Sequence, residues 1–337
     1  ETFCYADIQI PDNETCYFQQ ISDHWRHIKG LTDVQVSQWI QKDQIDLLIE
    51  PGTGHTADHR LRVFTLKPAP LQISFYPTSL EMTTIDYRVT DFCLDPTSSE
   101  PSKENLLHME LAVCYFPLTS APPVVPLPVT SSGYFTFASF NNLAKLNPDV
   151  IQTWSLILQK IPDSQLFLKC KAFNSKQTQK EWKVVFQNHG IPEERLLFSG
   201  FSPNSYSHLM VYQQVDIVLD PFPYNGQITT CEALWMGRPV IALRGNKNFS
   251  RVAASFLTAV GLQECIADTM NDYIDRAILL TQQPNHLSVL SNTLRERMND
   301  SILCNGKQYM ELLEAHYRTI WKECCLRHDE NYVILNP

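Results

Sequence analysis

No stretch of this 337-residue sequence approaches the roughly 18 consecutive apolar residues of a membrane span. Nor does a basic segment lead into an apolar one, as a secretory signal requires. Lys and Arg never cluster into a run that could track a phosphate backbone. The 36 acids outnumber the 27 bases, for a net charge of −9. Nucleic acid and anionic membrane are therefore excluded as general partners. The ten cysteines are scattered and form no CxxC pair. The nearest approach to a metal cluster, Cys304 with Cys324, Cys325 and His328, lacks zinc spacing. Reduced thiols in a cytoplasmic protein are the expectation, and the sequons at Asn13, Asn248 and Asn299 carry little weight without a secretory context. No internal repeat, Walker P-loop or GxGxxG is present, which disfavours ordinary NTPase and dinucleotide chemistry.

What the sequence does contain is an alternation of short apolar runs and helical segments, and its length suits two domains. Residues 1–6 read as a strand already in progress, as though a first β-α element lay upstream. A helix is predicted over 33–42 and strands over 45–50, 71–76 and 85–90. Pro117, Pro122, Pro123, Pro126 and Pro128 then fall within twelve residues. Proline fixes φ and removes a backbone donor, so 117–133 reads as a linker. Beyond it, strands are predicted over 134–140, 165–170, 196–199, 215–219 and 239–243. The intervening helices cover 147–160, 177–189, 206–214, 229–236 and 250–260, with Asn147 and Pro148 as an N-cap and first-position pair. This rhythm is α/β with doubly wound parallel sheets. A final helix is predicted from Gly306 to about Lys322.

Open parallel sheets bind ligands at the carboxyl ends of their strands. After 134–140 stand Asn141, Asn142 and Lys145, just ahead of a capped helix. Lys145 there is either a phosphate ligand or a solvated loop lysine. After 215–219 the loop from Asp220 carries Asn225, Gly226, Gln227, Ile228, Thr229 and Thr230 into a helix, so its amides and hydroxyls can hold phosphate oxygens. Glu232, one turn in, suits the two hydroxyls of a ribose or is a dipole-favoured first-turn acid. His208 either faces the same site or is a satisfied structural residue. His55, following strand 45–50, is a candidate proton acceptor or sugar contact.

Several motifs make the resemblance specific: Asp46–Glu50 (DLLIE) with Thr53–Thr56 (TGHT), Lys67–Pro70 (KPAP), Ile85–Asp91 (IDYRVTD), Phe140–Lys145 (FNNLAK), Asp220–Gly226 (DPFPYNG), Thr229–Trp235 (TTCEALW) and Ser250–Ser255 (SRVAAS). Over residues 1–323 the chain resembles the catalytic domain of the O-linked N-acetylglucosamine transferase / SPINDLY family. That resemblance implies a GT-B glycosyltransferase with two Rossmann-like domains facing a cleft. Its parts would be an acceptor-side domain over 1–116, incomplete at its start, the linker, a nucleotide-sugar-binding domain over 134–305, and a terminal helix over 306–325 packing back toward the cleft. It implies that Lys145 is the diphosphate lysine and Asn142 a neighbour of the phosphates. Ser202 would offer a backbone contact to the base, His208 would approach the nucleotide, residues 226–230 would wrap the diphosphate, and Glu232 would hold the ribose. The implied chemistry is inverting, metal-independent transfer of a sugar to a protein or peptide Ser/Thr hydroxyl, with Lys145 and a helix N-terminus carrying the leaving diphosphate.

UDP-N-acetylglucosamine is the expected donor. GDP-fucose is the alternative, because Thr53–Thr56 and Asn141–Lys145 are similar to the SPINDLY branch. The family carries a tetratricopeptide region upstream, and its most often proposed catalytic histidine falls before residue 1. His55 and His27 are stand-ins for the base. The family's glycine-rich loop after KPAP is replaced here by Phe75–Glu81 (FYPTSLE), and Ile228 cannot donate a side-chain hydrogen bond. These departures keep a weakly catalytic nucleotide-sugar-binding relic as a further alternative.

Overall fold

The computed structural model describes residues 1–52, 60–75, 80–96 and 102–335, with side chains to Arg327. The chain divides into two compact units. One comprises Glu1–Val89, Glu100–Leu107 and Ala315–Pro337, and the other Thr90–Ser99 and His108–Glu314.

In the first unit, β1 (Phe3–Ala6) pairs in parallel with β2 (His24–His27). A second sheet runs β3 (Leu47–Glu50), β4 (Leu71–Ser74), β5 (Tyr87–Asp91), β6 (Asn105–Met109), with β3–β4 and β4–β5 parallel. The predicted helix forms at Asp33–Lys42, where Thr32 and Gln35 cap each other reciprocally. Its buried face, Val36 and Ile40, joins Ile28, Leu48, Val63, Phe64, Ala69 and Ile85 in one apolar cluster. Lys67 of KPAP holds the left-handed conformation and donates to Thr84 O and the Asp86 carboxylate, so that motif secures the approach to β5. Elements at Asn13–Ile21, β2 and β6 escaped the sequence reading because none carries a clean apolar period.

The second unit holds a six-stranded sheet in the order β12-β11-β10-β7-β8-β9. Its strands are β7 (Thr136–Ser139), β8 (Gln165–Lys169), β9 (Leu196–Ser199), β10 (Ile217–Leu219), β11 (Val240–Leu243) and β12 (Ile266–Ala267), paired in parallel throughout. Strands covered on both faces read as unbroken apolar runs, and β7 and β10 are buried at every position. The helix Pro148–Lys160 starts where predicted, with Asn147 Oδ1 accepting from Val150 N at 3.1 Å. Val150, Ile151, Trp154, Ile157 and Leu158 bury its inner face. Trp154 Nε1 donates to Tyr273 Oη, and Tyr273 Oη donates to Asp220 O, so the core reaches the loop after β10.

The proline-rich run belongs to this unit and is fixed to it. Prolines donate nothing, but their neighbours' carbonyls still need partners. The fully buried Arg238 supplies one from Nη2 to Val125 O, while its Nε reaches Tyr212 O and its Nη1 Ser291 Oγ. Arg295 donates to Pro122 O. Asp216 accepts from Val129 N and Thr136 N, tying the end of the run to the start of β7. A four-residue helix, Val129–Ser132, closes it. The final helix starts at Gly306 as expected and continues to Leu335, well past Lys322. Helices at Met270–Gln282 and Pro284–Asp300, not anticipated from sequence, cover further core. Among the described residues no helix is long and apolar enough to cross a membrane.

Candidate functional site

The strand order reverses between β7 and β10, so the segments leaving these two strands diverge and open a crevice at their carboxyl ends. Lys145 sits there. Asn142 Oδ1 caps a short 3-10 turn, Leu143–Lys145, by accepting from Ala144 N at 3.0 Å, and the turn aims Lys145 across the crevice. Its Nζ donates to Asn141 Oδ1 at 3.0 Å and to Asn225 O at 2.8 Å, and lies 5.0 Å from the Tyr224 ring centre. Burial pulls the Lys145 ammonium below its ordinary range, and the Asp220 charge opposes that effect.

Opposite Lys145, the helix Ile228–Trp235 begins without a side-chain cap at Gln227. An uncapped N-terminus leaves first-turn amides and the positive end of the helix dipole available to an anion. Gly226 is the residue that lets the loop reach this position. A Cβ there would stand 2.7 Å from Asp220 Oδ1, Thr229 Oγ1 and Thr230 Oγ1. Its N–H donates to Asp220 Oδ1 at 2.7 Å, and Thr230 Oγ1 is 3.5 Å from the same oxygen. Thr229 Oγ1 donates to Asn141 Oδ1 at 3.2 Å, so Asn141 bridges Lys145 and the helix start.

Asp220, at the end of β10, is 1% exposed, and Oδ2 has no partner among the described residues. Burial pushes its carboxyl up to about 7, with Lys145 and the Gly226 amide pulling the other way. A partly protonated Asp220 offsets less of the Lys145 charge than an ordinary aspartate would.

His208 and Glu232, separate expected contacts in the sequence, meet in the structure. His208, on the helix Ser205–Met210, places Nε2 3.0 Å from Glu232 Oε2, while Nδ1 is 2.8 Å from Lys169 Nζ. Tyr212 Oη approaches Glu232 Oε2 at 3.4 Å. Lys169 was missed because the predicted strand ran over 165–170 and held it inside, whereas β8 ends at Lys169 and so puts it at a carboxyl end, as Lys145 is. Ser202, half-buried, occupies the turn between β9 and the helix of His208. Gln227 and Thr229 are half-buried, Thr230 is buried, and Ile228 is 55% exposed at the helix start. In the first unit, His27 is exposed at the end of β2. His55 and most of the Phe75–Glu81 loop lie outside the described residues. Among the described residues no group of three or more His, Cys, Asp or Glu is arranged to hold a metal.

The SRVAAS motif plays a structural part. Ser255 Oγ donates to Asp91 Oδ2 at 2.7 Å, Arg251 donates to Cys93 O and Gly245 O, and Asp91 also accepts from Cys93 N, Leu94 N and Ala112 N.

Comparison with known proteins places the chain in a family. The profile of glycosyl transferase family 41 matches residues 1–116 and 130–313. A Petunia hybrida protein described as a probable UDP-N-acetylglucosamine–peptide N-acetylglucosaminyltransferase SPINDLY is 38% identical over 305 residues, spanning 89% of this chain and 33% of that protein. The Arabidopsis thaliana protein described in the same terms as SEC is 28% identical over 345 residues, 96% of this chain and 34% of that protein. The chain thus spans about a third of the length of these curated relatives. In structure it is similar to a Thermobaculum terrenum O-GlcNAc transferase variant, with TM-score 0.90 and 30% identity over 97% of this chain and 62% of that one.

Proposed function

The chain belongs to glycosyl transferase family 41, with a GT-B fold, and from that premise we propose that it transfers N-acetylglucosamine from UDP-N-acetylglucosamine to Ser/Thr hydroxyls of a protein or peptide acceptor. The observation that carries this reading is Lys145, held across the strand-order reversal from the uncapped start of Ile228–Trp235. In the proposed complex the donor diphosphate lies between them. Lys145 exchanges its bonds to Asn141 and Asn225 for bonds to phosphate oxygen, while the amides of 227–230 receive the rest of the charge. As the sugar–phosphate bond breaks, negative charge grows on the leaving diphosphate, and groups already aimed at it stabilise that state with little reorganisation. Lys145 and the helix amides do this work in place of a metal ion. Glu232 accepts from the ribose hydroxyls, Ser202 offers backbone to the base, and His55 takes the proton of the acceptor hydroxyl.

GDP-fucose is the second donor reading. It rests on the SPINDLY-like Asn141–Lys145 and Thr53–Thr56 segments, whereas the relatives described as SPINDLY and as SEC are alike named for UDP-N-acetylglucosamine. Incubating the protein with each sugar nucleotide and a Ser/Thr peptide tests both. The expected result is a peptide mass increase of one N-acetylhexosamine, absent when Ser and Thr are replaced by Ala. A deoxyhexose increment would move the assignment to fucose. No transfer from either donor, with nucleotide binding retained, would favour the nucleotide-sugar-binding relic.

A further inference from the structure

Lys169 has no place in the site as read from sequence, yet it is 6% exposed and its ammonium ends on His208. We propose that Lys169 is a positioning residue, which acts through His208 to hold Glu232 ready for the nucleotide ribose. The proposal deepens the reading above and rests on it. An ammonium has donors only, so the His208 Nδ1 that faces it presents a lone pair, and the ring proton belongs to Nε2. That Nε2–H points at Glu232 Oε2 across 3.0 Å. Passing a proton from Lys169 to Nδ1 would still leave Nε2 protonated, so the bond to Glu232 survives either arrangement. The ring itself is braced edge-on by Phe140 and Tyr212, with centroids 6.0 and 5.9 Å away.

The consequence falls on the carboxylate. His208 engages Oε2 at 3.0 Å, with Tyr212 Oη, which also reaches Thr229 O at 3.2 Å, 3.4 Å from the same oxygen; this holds Glu232 by Oε2 and leaves Oε1 for ligand hydroxyls. A ribose offers two neighbouring O–H donors, and a carboxylate oxygen accepts both without a competing donor. Without Lys169, Nδ1 of the half-buried His208 loses the donor that faces it. The ring is then free to turn or to place its proton on Nδ1, which would set a lone pair against the carboxylate.

The test compares UDP with 2′,3′-dideoxy-UDP by calorimetry, using wild type, Lys169→Met and Lys169→Arg. Should GDP prove the tighter ligand, the guanosine pair replaces them. Wild type is expected to prefer the ribose form at least tenfold, roughly the value of one hydrogen bond to a charged group. Lys169→Met should reduce that preference to about threefold or less, and Lys169→Arg should retain most of it. A purely structural role would weaken both ligands equally and leave their ratio unchanged, which would overturn the proposal. Arg losing the preference as fully as Met would do so as well. Side-chain 15N spectra of the ligand-free wild type read the ring directly and do not depend on any variant folding. Protonated Nε2 is expected, and a proton on Nδ1 with bare Nε2 would contradict it. If wild type binds neither nucleoside diphosphate, the functional reading fails and this inference fails with it. A ribose preference that survives in Lys169→Met removes this inference alone.

Discussion

Replacing Lys145 by alanine separates phosphate recognition from recognition of the nucleoside. In the ligand-free protein the ammonium makes two hydrogen bonds, to Asn141 Oδ1 and Asn225 O, each worth about 1 kcal/mol net. The variant should therefore fold with a modestly lower melting temperature. Against a diphosphate the same group forms a charge-assisted bond in a half-buried setting, where such bonds contribute about 1.5–3 kcal/mol. Binding of a nucleoside diphosphate should weaken about tenfold to a hundredfold. In the proposed complex the nucleoside would meet Glu232, His208 and the Ser202 turn but not Lys145, so the affinity of the free nucleoside should change less than about twofold. Removing the ammonium also strips Asp220 of the positive charge that opposes its burial, which favours the protonated acid further. Titration calorimetry with uridine and UDP, and with guanosine and GDP, measures the contrast. Equal losses for nucleoside and diphosphate would refute the phosphate role.

Asp220 should make diphosphate binding depend on pH. Its folded value near 7 lies above the ordinary carboxylate range, and an arriving anion raises it further, so binding takes up a proton near neutrality and weakens as pH rises through about 7. Calorimetry in buffers of different ionisation enthalpy should detect that uptake in wild type and not in Asp220→Asn. The same sign applies to folding. The buried acid costs stability as pH climbs from about 4 to 7, by up to about 4 kcal/mol at roughly 1.4 kcal/mol per tenfold change in proton affinity, so Asp220→Asn should flatten the curve of denaturant midpoint against pH. Gly226→Ala puts a methyl group 2.7 Å from three oxygens and should cost about 1–3 kcal/mol of overpacking. It should also lower diphosphate affinity at least tenfold, seen as a shifted melt and a weaker titration; an unchanged titration would mean the loop is not a phosphate cradle. Arg238→Met removes three hydrogen bonds and leaves Asp216 buried without its neighbouring cation. Urea denaturation should show a loss of about 3–5 kcal/mol, and a loss below 1 kcal/mol would contradict the fastening of the proline-rich run.

Much of the second unit could be read in the sequence because local signals and tertiary demands coincide there. The Asn147–Pro148 cap, the apolar runs of β7 to β11 and the polar loops after β7 and β10 each announce themselves within a few residues. Applying the carboxyl-end rule to those loops led to Lys145, Gly226 and Glu232. The same rule missed Lys169, because the apolar run was read through residue 170 and the lysine fell inside the predicted strand. Only the arrival of His208, 39 residues later, brings it beside Glu232. Asp220 posed a similar difficulty. It read as the first polar residue of a loop, and its burial depends on the Gly226 turn folding back over it. Among the motifs that carried the resemblance, KPAP and SRVAAS hold polypeptide together through Lys67–Asp86 and Ser255–Asp91. Spacing alone does not separate such clasps from ligand contacts. The helices Met270–Gln282 and Pro284–Asp300 were passed over because their outer faces are strongly polar, although Tyr273, Ile274, Ala277 and Leu280 recur at helical spacing.

Everything proposed for this chain depends on a nucleoside diphosphate binding between Lys145 and the start of Ile228–Trp235. Calorimetric titration of the folded protein with UDP and, separately, GDP asks whether it does. Saturable binding is expected, with UDP the tighter ligand. Tighter binding of GDP would keep the site and move the donor to a GDP-sugar, whereas binding of neither would rule the site out.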